Sequence, residues 1–177
     1  MSKALLLAGV LMFAPLASLG APVMAQNAGP TDPQIAHIAY TAGQLDIDAA
    51  KQALQKSTNP QVRAFAETME RDHAAVNEQA IALVTRLHVT PEANPTSTSL
   101  TDAAAATRQR LAGLSGAAFD KAYVDNEVAY HRTVNEALRT TLIPDADNAE
   151  LKSLLQTGLE LFQQHQAHAE HLAHDFP

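Results

Sequence analysis

Six side chains able to hold a metal ion interrupt or flank helical faces that are otherwise apolar: Asp46, Glu70, His73, Glu127, His131 and His165. Projection at 100° per residue places Asp46 in the middle of a stripe running Ile35, Ile38, Ala39, Ala42, Ala49, Ala50 and Ala53. His73 sits in the stripe that contains Val62, Phe65, Met69, Val76 and Leu83, with Glu70 one turn earlier on its flank. Glu127 lies among Phe119, Tyr123, Tyr130, Val134 and Leu138, with His131 at the edge, and His165 lies among Leu155, Leu159, Phe162, Ala169 and Leu172. An ionisable group in a core costs several kcal/mol unless it is paired or bound to a metal. One such group is a curiosity; a ring of them from four helices has the make-up of a metal centre. Carboxylate and imidazole donors suit divalent Zn, Mn, Fe or Cu and do not choose among them. The rival reading is a hydrogen-bonded network, Asp46 to His73 and Glu127 to His165, that fixes helix register and binds nothing.

Depth decides whether the six can meet. Asp46 precedes Asn59 by 13 residues and His73 follows it by 14, so at a rise of ~1.5 Å per residue the two share a level. Counted from Pro144, Glu127 is 17 residues back and His165 is 21 on, a mismatch of about 6 Å by the same rise.

The elements that must carry them are helices. Ala and Leu dominate and β-branched runs are scarce. Asp32-Pro33 reads as a capping carboxylate followed by Pro at the first helical position, and Asn59-Pro60 repeats the signal. The spacing predicts helices from about 32 to 57 and from 60 to about 88, a loop over 89–99 and a shorter helix over roughly 100–114. Ser115 then caps a fourth helix to about Ile143, and a last helix starts near Asp147 after a turn at Pro144-Asp145. Tight turns within each hairpin make antiparallel neighbours. The expected fold is therefore all-α: a four-helix bundle with a short extra helix in the middle connection.

The first 25 residues read as a cleavable signal peptide: Lys3, an apolar stretch from Ala4 to Leu19, and Val23-Met24-Ala25 as the cleavage signal. The mature domain, residues 26–177 with an ordered core over about 33–173, then carries 11 basic and 19 acidic residues, a net charge of −8. That balance excludes nucleic acid and anionic membrane surfaces as partners. No transmembrane segment is expected after cleavage, and the expected location is the periplasm. There is no Cys, which removes thiolate chemistry and disulfides. His168, His171 and His174 continue the three-residue spacing of His165 and wind away from the core face, so they read as a solvated tail.

Several motifs together carry a family resemblance: Asn59 to Ala66, Met69 to His73, Ser115-Gly116-Ala117-Ala118-Phe119-Asp120, His131 and His165. On these the chain resembles domain of unknown function 4142, exported bacterial ferritin-like proteins often labelled outer-membrane proteins. The resemblance implies a ferritin-like four-helix fold and supplies no activity. Asp46-Ile47-Asp48 stands where that family usually has Glu-x-Glu. Glu70-Arg71-Asp72-His73 has the Glu-x-x-His spacing of di-iron ferritin-like proteins, but Phe162 occupies the matching position before His165. The expectation is a metal-binding or stress-associated periplasmic protein without catalysis. A metal-free envelope structural or interaction module and a metal-dependent redox enzyme are the alternatives. No nucleophile elbow or phosphate-cradling glycine loop supports other chemistry.

Overall fold

The computed structural model describes residues 29–176; the expected signal peptide and its cleavage point lie outside the described residues. The elements are α1 (Asp32–Lys56), α2 (Pro60–Arg86), α3 (Pro95–Ala112), α4 (Gly116–Ala137), a π-helical turn (Leu138–Leu142), the three-residue α5 (Ile143–Asp145) and α6 (Ala149–Ala173). α1 packs chiefly on α2 and α4 chiefly on α6, and the two hairpins close into a four-helix bundle with α3 laid mainly along α1.

The start signals act as side-chain caps. The Asn59 side chain accepts from the Gln61 and Val62 backbone N–H groups at 2.9 and 3.4 Å, with Pro60 behind it. Asn94-Pro95 is the same device, with Asn94 Oδ1 accepting from the Ser97 backbone at 3.1 Å. It starts α3 five residues before the expected position near Leu100, so part of the expected loop is helix. Asp32 is a second correction. Thr31, not Asp32, is the N-cap. The Asp32 carboxylate crosses the bundle end and accepts from the backbone N–H groups of Asp147 and Asn148, both at 2.9 Å.

The turn between the second pair of helices is also displaced. Pro144 sits inside α5, and the chain reverses over Ala146–Asn148, where Asn148 caps α6 through Glu150 and Leu151. Counted from Asp147, His131 is 16 residues back, Glu127 is 20 back and His165 is 18 on. Both α4 residues are thus within about 3 Å of the His165 level, and the mismatch expected from Pro144 disappears.

Two apolar clusters fill the bundle. One contains Ala50, Ala53, Phe65, Met69, Phe119, Tyr123 and Leu172. The other contains Ile35, Ile38, Leu83, Leu138, Leu142, Leu155 and Phe162. On each of the four long helices the candidate ligands fall between the residues given to one cluster and those given to the other. The core is therefore two apolar halves separated by one polar layer. Close approach of α1 and α2 beside that layer uses Gly43, where a Cβ would stand 2.5 Å from Asn77 Oδ1.

Candidate metal centre

Five of the six candidate residues line this layer, and all five are buried: Asp46, His73, Glu127, His131 and His165. His73 Nε2 lies 3.0 Å from Asp46 Oδ2, and His131 Nε2 lies 3.4 Å from the same oxygen. His131 belongs to two groups of potential donors, one with His73 and His165 and one with Asp46 and Glu127, each with its donor atoms within 4.8 Å of one another. It is the hub of the layer. Glu70 is not brought in. Its carboxylate points to the surface, 3.9 Å from Lys51 Nζ. The Glu-x-x-His spacing on α2 therefore does not deliver two ligands.

The ring orientations are set from outside. His131 Nδ1 is 3.0 Å from the Glu127 carbonyl oxygen, an acceptor, so Nδ1 carries the proton and Nε2 presents a lone pair. His165 Nε2 is 3.0 Å from Asp72 Oδ2, which leaves Nδ1 as its lone-pair nitrogen. Asp72 is in turn gripped by Arg71 Nε at 2.8 Å. A carboxylate or carbonyl behind a histidine is how metal sites fix tautomer and orientation. The His73 ring is stacked on Phe162, with centroids 4.5 Å apart and planes 14° apart.

Several donor atoms of the layer are left without partners. Both Asp46 oxygens, both His73 nitrogens, Glu127 Oε2, His131 Nε2 and His165 Nδ1 are buried with no hydrogen bond among the described residues. The 3.0 Å approach of His73 to Asp46 is not aligned as a hydrogen bond. Each orphaned group costs about 1–3 kcal/mol, so a layer with donors left unpartnered on all four helices calls for a further partner. The two shortest separations, 3.0 and 3.4 Å from Asp46 Oδ2, are in the range an ion sets, since bonds of about 2.0–2.2 Å place neighbouring donors roughly 2.8–3.6 Å apart in octahedral or tetrahedral sites.

Charge points the same way. Burial pushes Glu127 well above its ordinary value, and the neighbouring Asp46 charge adds to the shift, so its carboxyl resists ionisation. Burial also acts to raise Asp46, but His73, His131 and His165 around it hold it below its ordinary value. Burial, with the adjacent imidazoles, pushes His165 down to about 4 against the opposing pull of Asp72. Burial lowers His131 too. Neutral imidazoles beside a carboxylate are in the state that ligates a cation.

Three contributors were not singled out in the sequence as part of the site: Asp72, Asn126, whose Nδ2 reaches Glu127 Oε1 at 3.4 Å, and Tyr123, buried with its hydroxyl unpartnered. Asp72 had a signal. It stands seven residues after Phe65 and breaks the Val62, Phe65, Met69, Val76 face that meets α6. The tail histidines are exposed, as expected, but α6 runs on to Ala173 with Ala169 and Leu172 buried, and His168 stands edge-on to Phe65.

The family model of a domain of unknown function, DUF4142, matches residues 18–172. No curated protein matches. Among solved structures, one described as a secreted DUF305 protein from Streptomyces coelicolor aligns with a TM-score of 0.65 at 12% identity, over 77% of this chain and 87% of its own. CopM in its Cu(II)-bound form aligns with a TM-score of 0.66 at 14% identity, over 84% of this chain and 99% of its own. At these identities the likeness is one of fold.

Proposed function

We propose that this chain, which belongs to the DUF4142 family, is exported to the periplasm and there holds one divalent transition-metal ion in its polar layer, without catalytic turnover. The observation that carries the reading is that buried donor atoms of Asp46, His73, Glu127, His131 and His165, at one level of the core, have no hydrogen-bond partner among the described residues. Asp46 Oδ2, His73 Nε2, His131 Nε2 and His165 Nδ1 would supply the ligands, and Glu127 would join them on losing its proton. Three imidazoles favour Cu²⁺ and Zn²⁺ over Mn²⁺, since imidazole suits the former and all-oxygen sites the latter. The fold likeness to CopM in its Cu(II)-bound form supports copper as the first ion to try. A sequestering role under metal stress is the physiological form of this reading.

The redox alternative is weaker. A second ion would need further carboxylates, but Glu70 faces Lys51 and Phe162 covers His73 instead of ligating. Export rests on the N-terminal leader pattern alone. Elemental analysis of untagged protein from a periplasmic extract tests both parts. The expected result is close to one equivalent of a transition metal on a chain starting at Gln26, with the metal lost in Asp46→Asn/His131→Ala. A folded, metal-free protein that takes up no stoichiometric Cu²⁺ or Zn²⁺ would overturn the metal reading.

A further inference from the structure

None of the five layer residues is more than 3% exposed, so an ion reaches them only where the bundle can open. The four seams between the long helices are not closed alike. Asp46 and His73 meet across the α1/α2 seam at 3.0 Å, and beside them Asn77 Nδ2 donates to the Tyr40 carbonyl at 3.4 Å. His165 and Asp72 bridge α2 and α6 at 3.0 Å. Arg132 to Glu170 and Asn135 to Gln166 lace α4 to α6 at 2.6 and 2.9 Å. The α1/α4 seam instead holds a cavity of about 250 Å³ roofed by α3, far above the ~15 Å³ that one water needs. Ala103 and Thr133 are exposed at its rim, and Asp46 and Glu127 stand at its buried end. No imidazole of the layer lines it.

We propose that the ion enters and leaves the layer through this cavity, and that Tyr130 is the latch that closes its inner end. The proposal rests on the metal reading above. Tyr130 lines the cavity, and its hydroxyl crosses from α4 to donate to the Ala42 carbonyl of α1 at 2.8 Å, one turn before Asp46. Among the described residues this is the one hydrogen bond between α1 and α4. The roof is tied along one edge. Gln52 Nε2 donates to the Arg108 carbonyl at 3.0 Å, Lys56 Nζ to the Ala112 carbonyl at 2.7 Å, and Arg108 to Asp48 at 2.8 Å. All three tie α3 to α1, whereas no hydrogen bond or ion pair joins α3 to α4 among the described residues. A segment held on one edge opens at lower cost than the packed core. Thr107 and Asn126 give the wall polar groups for the water that travels with an ion. A cation is drawn inward, because the cavity ends on the carboxylate edge of the layer and Arg108, the charged residue of its α3 wall, is neutralised by Asp48.

The test follows Cu²⁺ uptake by chelator-treated full mature protein, and its release into excess EDTA, by stopped-flow quenching of tyrosine fluorescence. Equilibrium dialysis gives the dissociation constant. Ala104→Phe fills the cavity and should slow uptake and release alike, at least about tenfold, with the dissociation constant held within about twofold, because a blocked route raises the barrier and leaves both end states unchanged. Tyr130→Phe removes the latch and should speed both steps about two- to tenfold, the worth of one neutral hydrogen bond. Arg132→Ala, which unlaces the α4/α6 seam at an exposed ion pair, should leave both rates within about twofold. Unchanged rates in folded Ala104→Phe, no acceleration in Tyr130→Phe, or an equal acceleration in Arg132→Ala would each overturn the route. If Ala104→Phe does not fold, the comparison of Tyr130→Phe with Arg132→Ala decides. Cu²⁺ bound at equilibrium with rates indifferent to these changes sinks the route alone, and no Cu²⁺ bound at all sinks the metal reading with it.

Discussion

His73→Leu separates a metal centre from a register-fixing network, because it keeps the apolar stripe of α2 and removes one donor. In the ion-free protein the change leaves Asp46 with His131 at 3.4 Å as its near imidazole, so the carboxylate is less well compensated in a fully buried position. The expected cost is about 1–3 kcal/mol, or roughly 2–12 °C in melting temperature at ~2–4 °C per kcal/mol for a domain of this size. Asp46→Leu/His73→Leu should recover most of that loss, since replacing both partners by apolar groups is close to neutral. The ion adds a second axis. At a hundredfold excess over its dissociation constant, bound Cu²⁺ or Zn²⁺ should stabilise the unmodified chain by about 2.7 kcal/mol, roughly 5–11 °C. Calorimetric melts of the three proteins, with chelator and with ion, give all the quantities, and equilibrium dialysis gives the stoichiometry. The single and double variants should lack the ion-dependent rise. If folded His73→Leu keeps the full rise and one equivalent of ion, His73 is no ligand and the assignment of the layer fails.

Asp72→Ala should weaken ion affinity about 10–100-fold and cost the ion-free protein about 1–3 kcal/mol, because it strips the buried His165 Nε2–H of its acceptor while removing no ligand; isothermal titration and ion-free melts would show the two effects. His171→Ala/His174→Ala should keep the ion-dependent rise and lose only weak extra binding at high Zn²⁺, since both rings are exposed on the far side of α6. Asp32→Ala should cost about 1–3 kcal/mol in chemical denaturation, as it strips two backbone N–H groups of their shared acceptor at the turn before α6.

The start of α2 was legible because the Asn59 side chain satisfies its own helix's N–H groups and needs nothing from elsewhere, whereas Asn94-Pro95, the same device, lay inside the expected loop. Asp32 carried the same local signal but is drawn away by a partner 115 residues distant, which no local pattern encodes. The polar layer was legible through period and depth: an ionisable residue inside an apolar stripe has one direction to face. Where the reading rested on turn position it failed by a few residues, since Pro144 is taken up in a short helix and does not mark the reversal. Glu70 failed for a different reason. Sequence spacing of three allows a shared face without requiring it, and Lys51 offers Glu70 a solvated partner at lower cost than a core site. Asp72 and the donor directions of His131 and His165 depend on which atoms of α6 and α4 come alongside, so they required the packed bundle.

Glu127 is the place where folding and ion binding pull in opposite directions. Its folded-state value is well above the ordinary 4.5 through burial and the Asp46 charge, so the folded chain holds a proton that the unfolded chain releases above about pH 4.5. The stability contributed by that proton is complete below the unfolded value and is lost as pH rises through the folded one. Glu127→Gln keeps the shape and the hydrogen-bonding capacity but cannot ionise. The variant should therefore gain on the unmodified protein as pH rises from about 5 to 8 in ion-free denaturation curves, while the histidines, titrating alike in both, cancel from the difference. With a divalent ion the order should reverse. The unmodified protein gives up the Glu127 proton to ligate, so calorimetric titration in buffers of different ionisation enthalpy should show about one more proton released per ion than in Glu127→Gln. A stability difference that does not change with pH would mean that Glu127 is already ionised in the folded chain, and an equal proton count would mean that it never joins the ion.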